Sequence, residues 1–133
     1  MGHRVGLQPK SEEIANEAVA EAELAINLDG ADSNVLGVAG CAFADVGQPE
    51  RAVPILKNAI KLNPNNAQAW AALGSAYLLQ NMCDDAIDCI CHGIEISPLN
   101  SRLAIWAALL SLAHFEKRKS GSSIDQRTNR LRK

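Results

Sequence analysis

The side chains with the greatest chemical reach are four cysteines (Cys41, Cys83, Cys89 and Cys91), three histidines (His3, His92 and His114) and the acidic group Asp84, Asp85 and Asp88. Cys89, Cys91 and His92 are close enough in sequence to raise the question of a metal. A tetrahedral zinc site needs converging ligands. Residues two apart on a helix project about 200° from one another, so Cys89 and Cys91 cannot both face one ion from a regular helix. The four cysteines also match neither a disulfide framework nor paired C-x-x-C ligands, and they read as small apolar fillers of helix contacts. The acidic trio opens a helix, where carboxylates interact favourably with the positive end of the helix dipole. No histidine stands at a known spacing from a nucleophile and an orienting acid. The nine glycines are scattered and form no phosphate-binding loop. The expectation is a non-catalytic chain with no catalytic, cofactor-binding or metal-ligating residue.

The elements that position these residues follow from composition and period. A chain of 133 residues is long enough for one compact domain. Hydrophobic residues make up 47% and aromatics only 4%, so the apolar surface is mostly Ala, Leu, Ile and Val, which suits closely packed helices. The net charge of −2 conceals an asymmetry. From Glu116 onward seven basic residues face two acids, while the preceding 115 residues carry six basic and thirteen acidic side chains. The basic tail, 120–133, is expected to be solvated and disordered, with weak nucleic-acid contact as its most that charge alone implies. Residues 1–10 are expected to be flexible and have no apolar stretch of the kind found in a secretory signal. The longest apolar run, Leu103 to Phe115, would span about 20 Å as a helix against the ~30 Å core of a bilayer. A soluble, cytoplasmic chain that does not cross a membrane is the expectation.

Residues recur at a step of 34. Pro64 and Pro98 are so related, as are Gly40 and Gly74, Phe43 and Tyr77, Ala52 and Ala86, Leu56 and Ile90, and Leu62 and Ile96. The same step backwards joins Ala18 to Ala52, Ala25 to Ala59 and Leu28 to Leu62. Breaker turns at Asp29–Asp32, Asn63–Asn66 and Ser97–Asn100 separate helical segments. Helices are predicted over 11–28, 33–46, 49–62, 67–80, 83–96 and 101–119. Gly40 and Gly74 lie inside such helices, where glycine costs about 1 kcal/mol relative to alanine. That cost is tolerated where a neighbouring helix approaches closely, with Ala52 and Ala86 as the expected small partners. Trp70, Leu73, Tyr77, Ala86 and Ile90 are expected in one buried cluster. Pro49 suits the first turn of its helix, and Pro54 is expected to bend it.

The segment Ala67 to Asn100, with Trp70, Leu73-Gly74, Tyr77, Ala86, Ile90 and Pro98, resembles the tetratricopeptide repeat. Ser33 to Asn66 is a weaker copy, with Leu36 in place of the Trp and Ala39 in place of the Leu. The resemblance implies an all-α fold, a right-handed α-solenoid of antiparallel helix hairpins with about 2.5–3 repeats. The repeat domain covers 11–119, with repeats at 33–66 and 67–100 and half repeats at 11–32 and 101–119. It further implies a protein–protein interaction scaffold, whose groove is lined by the first helix of each repeat. In this chain those positions are Asn34, Val38, Cys41, Gln68, Ala71, Ser75, Arg102, Ile105 and Leu109, with Gly37, Ala72 and Trp106 beside them. Of these only Arg102 has the chemistry of a carboxylate clamp, so the expected ligand is a helix or an apolar peptide segment.

The last helix carries more apolar surface than one neighbour can cover, whereas a solenoid normally closes with a polar face. Ile105, Leu109, Leu112 and Phe115 are therefore expected to form a self-association face, met by a homodimer through the C-terminal helix or by a protein partner. The junction Ile96 to Leu103 and the apolar helix after it also resemble the repeat region of bacterial adenylate-cyclase-like and winged-helix signalling regulators. That resemblance implies, as an alternative, a regulatory or sensory region truncated from such a regulator.

Overall fold

The computed structural model describes the backbone from Gly2 to Arg132 and the side chains from Lys10 to Lys119. His3 and the side chains of the basic tail lie outside those described. The chain forms α1 (Gly2–Leu28), α2 (Ser33–Asp45), α3 (Pro49–Leu62), α4 (Ala67–Leu79), α5 (Cys83–Ile96) and α6 (Leu103–Arg132), with no strand among the described residues. The hairpins α2/α3 and α4/α5 are the two full repeats. Each helix packs on the next, α2 also lies against α4, and α4 against α6. The result is a stack in which contacts run only between neighbouring repeat units.

The same chemistry closes each repeat. Asp32, Asn66 and Asn100 are each 34 residues from the next: Asp32 accepts from the Asn34 N–H at the start of α2 and Asn66 from the Ala69 N–H at the start of α4, while Asn100 accepts from the Arg102 N–H at 2.8 Å in the turn that leads into α6. Short side-chain oxygens here satisfy donors that have no partner within the helix. Asn66 does more than cap. Its amide donates to the carbonyl and hydroxyl oxygens of Ser33 at 3.1 and 2.9 Å, and Ser33 Oγ donates to the Ala59 carbonyl at 2.7 Å. One buried amide thus ties the starts of α2 and α4 to the end of α3. Asn66→Ala should lose both the cap and this cross-repeat bonding, a cost of about 2 kcal/mol in urea unfolding. The more exposed Asp32→Ala should cost less. Equal losses at the two positions would contradict a structural role for the Ser33 bonds.

The turns inside the hairpins are also periodic. Gly47 and Asn81, again 34 apart, adopt φ of +84° and +62°, the left-handed region open to glycine and, less readily, asparagine. The next position on that step is Phe115, whose bulk disfavours such a φ. α6 accordingly continues where α2 and α4 turn. The first and last helices extend beyond the spans 11–28 and 101–119 expected from the sequence. The structure carries helical backbone from Gly2 and on to Arg132. Extending an existing helix needs no new nucleus, so weak formers follow it readily.

Helices α2 to α5 match the expected spans to within one residue. Pro49 occupies the first turn of α3, and that helix runs unbroken through Pro54. The close approaches fall at the expected glycines. A Cβ on Gly40 would stand 2.5 Å from Cγ of Leu56, and one on Gly74 would stand 2.6 Å from Cγ1 of Ile90 and 2.9 Å from the Ala86 carbonyl oxygen. The single buried cluster expected around Trp70 is corrected in two respects. Leu73, Ala86 and Ile90 are buried, but Trp70 and Tyr77 are only half-buried. The core also divides, with Leu73 in a cluster centred on Phe43 and Leu56, and Ile90 in a second with Ala67, Ala71 and Trp106. Trp70 sits at the hairpin edge because its indole N–H donates to the Pro64 carbonyl at 2.8 Å while its ring meets His92 edge-on.

Candidate protein-binding groove

α2, α4 and α6 lie side by side, and α3 and α5 pack behind them. Between the three first helices is a cleft of about 250 Å³ lined by Cys41, Asp45, Gln68, Ala71, Ala72, Ser75, Arg102, Ile105, Trp106 and Leu109. Seven expected groove residues converge here: Cys41, Gln68, Ala71, Ser75, Arg102, Ile105 and Leu109. The other two, Asn34 and Val38, line a separate and larger apolar cleft of about 470 Å³ between α1 and α2. Sequence reasoning missed Asp45, although it lies one helical turn beyond Cys41 on the same face.

Packing explains the cleft's depth. Ala71, Ala72 and Trp106 are buried and form its floor. Alanine at two successive positions of α4 lets α2 and α6 stand apart without filling the space between them. Asp45, Gln68, Ser75 and Arg102 supply polar groups, while Ile105, 56% exposed, offers an apolar wall to solvent.

Two of the thiols, Cys41 and Cys89, are held in their protonated form. Burial, followed by the carboxylate of Asp45, pushes the Cys41 thiol up, and Arg102 opposes this only in part. Cys41 Sγ donates to Asp45 Oδ2 at 3.8 Å. Burial together with Asp85 and Asp88 pushes Cys89 up to about 11. A thiol that resists ionisation is a poor nucleophile and a poor metal ligand at neutral pH. All four cysteines are free, and no group of three or more His, Cys, Asp and Glu side chains converges to hold a metal among the described residues. His92 meets the Trp70 ring edge-on, with ring centroids 4.3 Å apart.

Of the four residues expected to form a self-association face, Ile105, Leu109 and Leu112 lie on the concave side of α6 and Phe115 lies apart from them. Ile105 and Leu109 look into the groove, and Leu112 lines an adjoining hollow with Leu78 and Leu79 of α4. Phe115, 54% exposed, lies on the side of α6 opposite the buried Trp106, as helical geometry requires of residues nine apart. No helix among the described residues is long and apolar enough to cross a membrane.

Comparison with known proteins agrees with this architecture. Residues 43–112, over half of the chain, match the tetratricopeptide repeat family, and the protein belongs to that family. The fold is its right-handed α-solenoid of antiparallel hairpins. The chain is similar over 88% of its length to the first tetratricopeptide domain of human RPAP3, covering 92% of that domain with a TM-score of 0.66 and 17% identity. In sequence it is 30% identical over 74 residues, 56% of this chain, to a formate-dependent nitrite reductase complex subunit, NrfG, of Escherichia coli O157:H7. It is also 29% identical over 76 residues, 57% of this chain, to the cellulose synthase operon protein C of Escherichia coli K12. The matches span 36% and 7% of those two relatives. Repeats of this family are in general non-catalytic scaffolds for protein–protein interaction.

Proposed function

We propose that this protein is a scaffold that binds a partner's polypeptide segment in the groove across α2, α4 and α6. The observation that carries this reading is the convergence of small, apolar and hydrogen-bonding side chains from three successive first helices on one cleft. Its size suits a large apolar side chain projecting from a helix or extended segment. The buried floor of Ala71, Ala72 and Trp106 gives that side chain an apolar seat. Gln68, Ser75, Asp45 and Arg102 surround it with donors and acceptors for the segment's polar groups. Asp45 and Arg102 together offer both signs of charge, so the cleft favours no strongly charged ligand.

Selection from a random peptide library on the immobilised protein tests this. The expected product is a set of peptides sharing an apolar anchor, with affinity lowered about tenfold or more by Ser75→Arg, which fills the cleft from a half-exposed position. Circular dichroism establishes that the variant stays folded. Peptides that bind the folded variant as well as the wild type, or a selection with no enriched sequence, would contradict the proposal.

A further inference from the structure

The large cleft between α1 and α2 has a counterpart elsewhere in the same chain. Its α1 wall is Ala18, Glu21, Ala22 and Ala25, and its α2 wall includes Val35, Val38 and Ala39. Adding 34 to the α1 positions gives Ala52, Ile55, Leu56 and Ala59 of α3, and adding 34 to the α2 positions gives Ala69, Ala72 and Leu73 of α4. All of those residues but the half-buried Ile55 are buried, and α2 itself lies against them. Gly40 is seated over Leu56 and Ile55, Gly37 over Ala69, and Ser33 Oγ donates to the Ala59 carbonyl. The α1/α2 cleft is therefore a seat for the first helix of a repeat.

At the other end of the stack, α6 is a first helix whose corresponding face is unoccupied among the described residues. Gly40 and Gly74, the positions that touch the second helix of their own repeats, correspond to Ala108 on α6. Ala104, Ala107, Ala108 and Ser111 lie on that face and are exposed. Inside the stack a glycine faces Leu56 or Ile90. Across the two ends Ala108 would face Ala22, so a larger residue on one side meets a smaller one on the other.

We propose that α6 of one copy docks into the α1/α2 cleft of a second, head to tail, so that α6 and the second copy's α1 complete a repeat. By the register of Gly40 on Leu56 and Gly74 on Ile90, the two helices run antiparallel with Ala108 beside Ala18 and Ala22. That register carries the basic run Lys117, Arg118 and Lys119 to within about a turn of Glu12 and Glu13 on α1. The charges are complementary: from Lys10 to Leu28 α1 holds five glutamates and one lysine. The lengths agree as well, since α1 and α6 have 27 and 30 residues where the helices between them have 13 or 14. A two-fold pairing of α6 with α6 would instead bring the basic runs or the same exposed face together and leave the cleft empty. A head-to-tail contact uses two different surfaces and is open-ended, so it extends the stack and its groove.

Two variants separate these arrangements in sedimentation equilibrium. Ala108→Glu alters the α6 face and Ala18→Glu alters the cleft, each at a position that is not buried. The wild type should show a mass that rises with concentration beyond twice the 14.2 kDa protomer. Each variant alone should be a helical monomer by circular dichroism. An equimolar mixture should form dimers and nothing larger, because the Ala108→Glu copy supplies an intact cleft and the Ala18→Glu copy an intact α6. A monomeric wild type, a mixture that stays monomeric, or an Ala18→Glu variant that still dimerises alone would each overturn the proposal, the last in favour of two-fold pairing. Because neither substitution touches the groove lining, peptide binding is read independently of assembly.

Discussion

Leu56→Ala is expected to destabilise the protein by about 2–5 kcal/mol in urea unfolding. Leu56 is fully buried in the larger core cluster, and Gly40 is packed directly over its branch point. Removing the branch leaves a void that the neighbours cannot close. Gly40 has no side chain to move into it, and Ala52 and Ala59 on the same helix are themselves small and fully buried. The equivalent change one repeat later, Ile90→Ala, should behave alike, since Ile90 is also fully buried under a glycine. A loss below about 1 kcal/mol at either position would mean that the interior relaxes far more than close packing allows.

The converse substitution overfills the same contact. Gly74→Leu should cost about 1–3 kcal/mol. Its Cβ alone would stand 2.6 Å from the Ile90 side chain and 2.9 Å from the Ala86 carbonyl oxygen. The second of these is backbone, so it cannot swing aside and α4 must move off α5. Glycine's low helix propensity partly offsets the loss, because leucine is the better helix former by several tenths of a kcal/mol. The expected sign is nonetheless destabilising. An unchanged midpoint would show that the hairpin tolerates separation of its two helices.

The 34-residue step made most of this fold legible. It located the four central helices and both tight glycine contacts, because the same small residue must recur wherever the same helix approach recurs. The step held more than composition suggested. Asp32, Asn66 and Asn100 lie on it: the first two cap α2 and α4, and Asn100 closes the turn into α6 through the same side-chain oxygen. Gly47, Asn81 and Phe115 lie on it too, and the change of type at Phe115 announces that α6 will not turn. The period and the pairing of small with bulky side chains put Trp70 in the expected buried cluster. Its indole N–H, which needs a polar partner and finds one in the Pro64 carbonyl, holds it at the edge.

The apolar residues of α6 were harder to assign because hydrophobicity does not say which neighbour a side chain faces. Ile105, Leu109 and Leu112 face α4 and the concave side, and only Phe115 lies on the unoccupied face. Helical phase relative to the buried Trp106 and Ala113 separates the two sets, and that phase became visible only once the buried residues were known. The α1/α2 cleft leaves no mark in the sequence for a related reason: alanine lines it as it lines the closed contacts, and only the presence or absence of a covering helix distinguishes them.

The central claim, that the concave face of α2, α4 and α6 is the binding surface, is tested most directly by amide chemical-shift mapping with a library-selected peptide. The account predicts that the largest shifts fall on Cys41, Gln68, Ala71, Ser75, Arg102 and Leu109, with the α3 and α5 surfaces behind them nearly unchanged. Shifts concentrated on the exposed residues of α3 and α5, with Ala71 and Ser75 undisturbed, would contradict it.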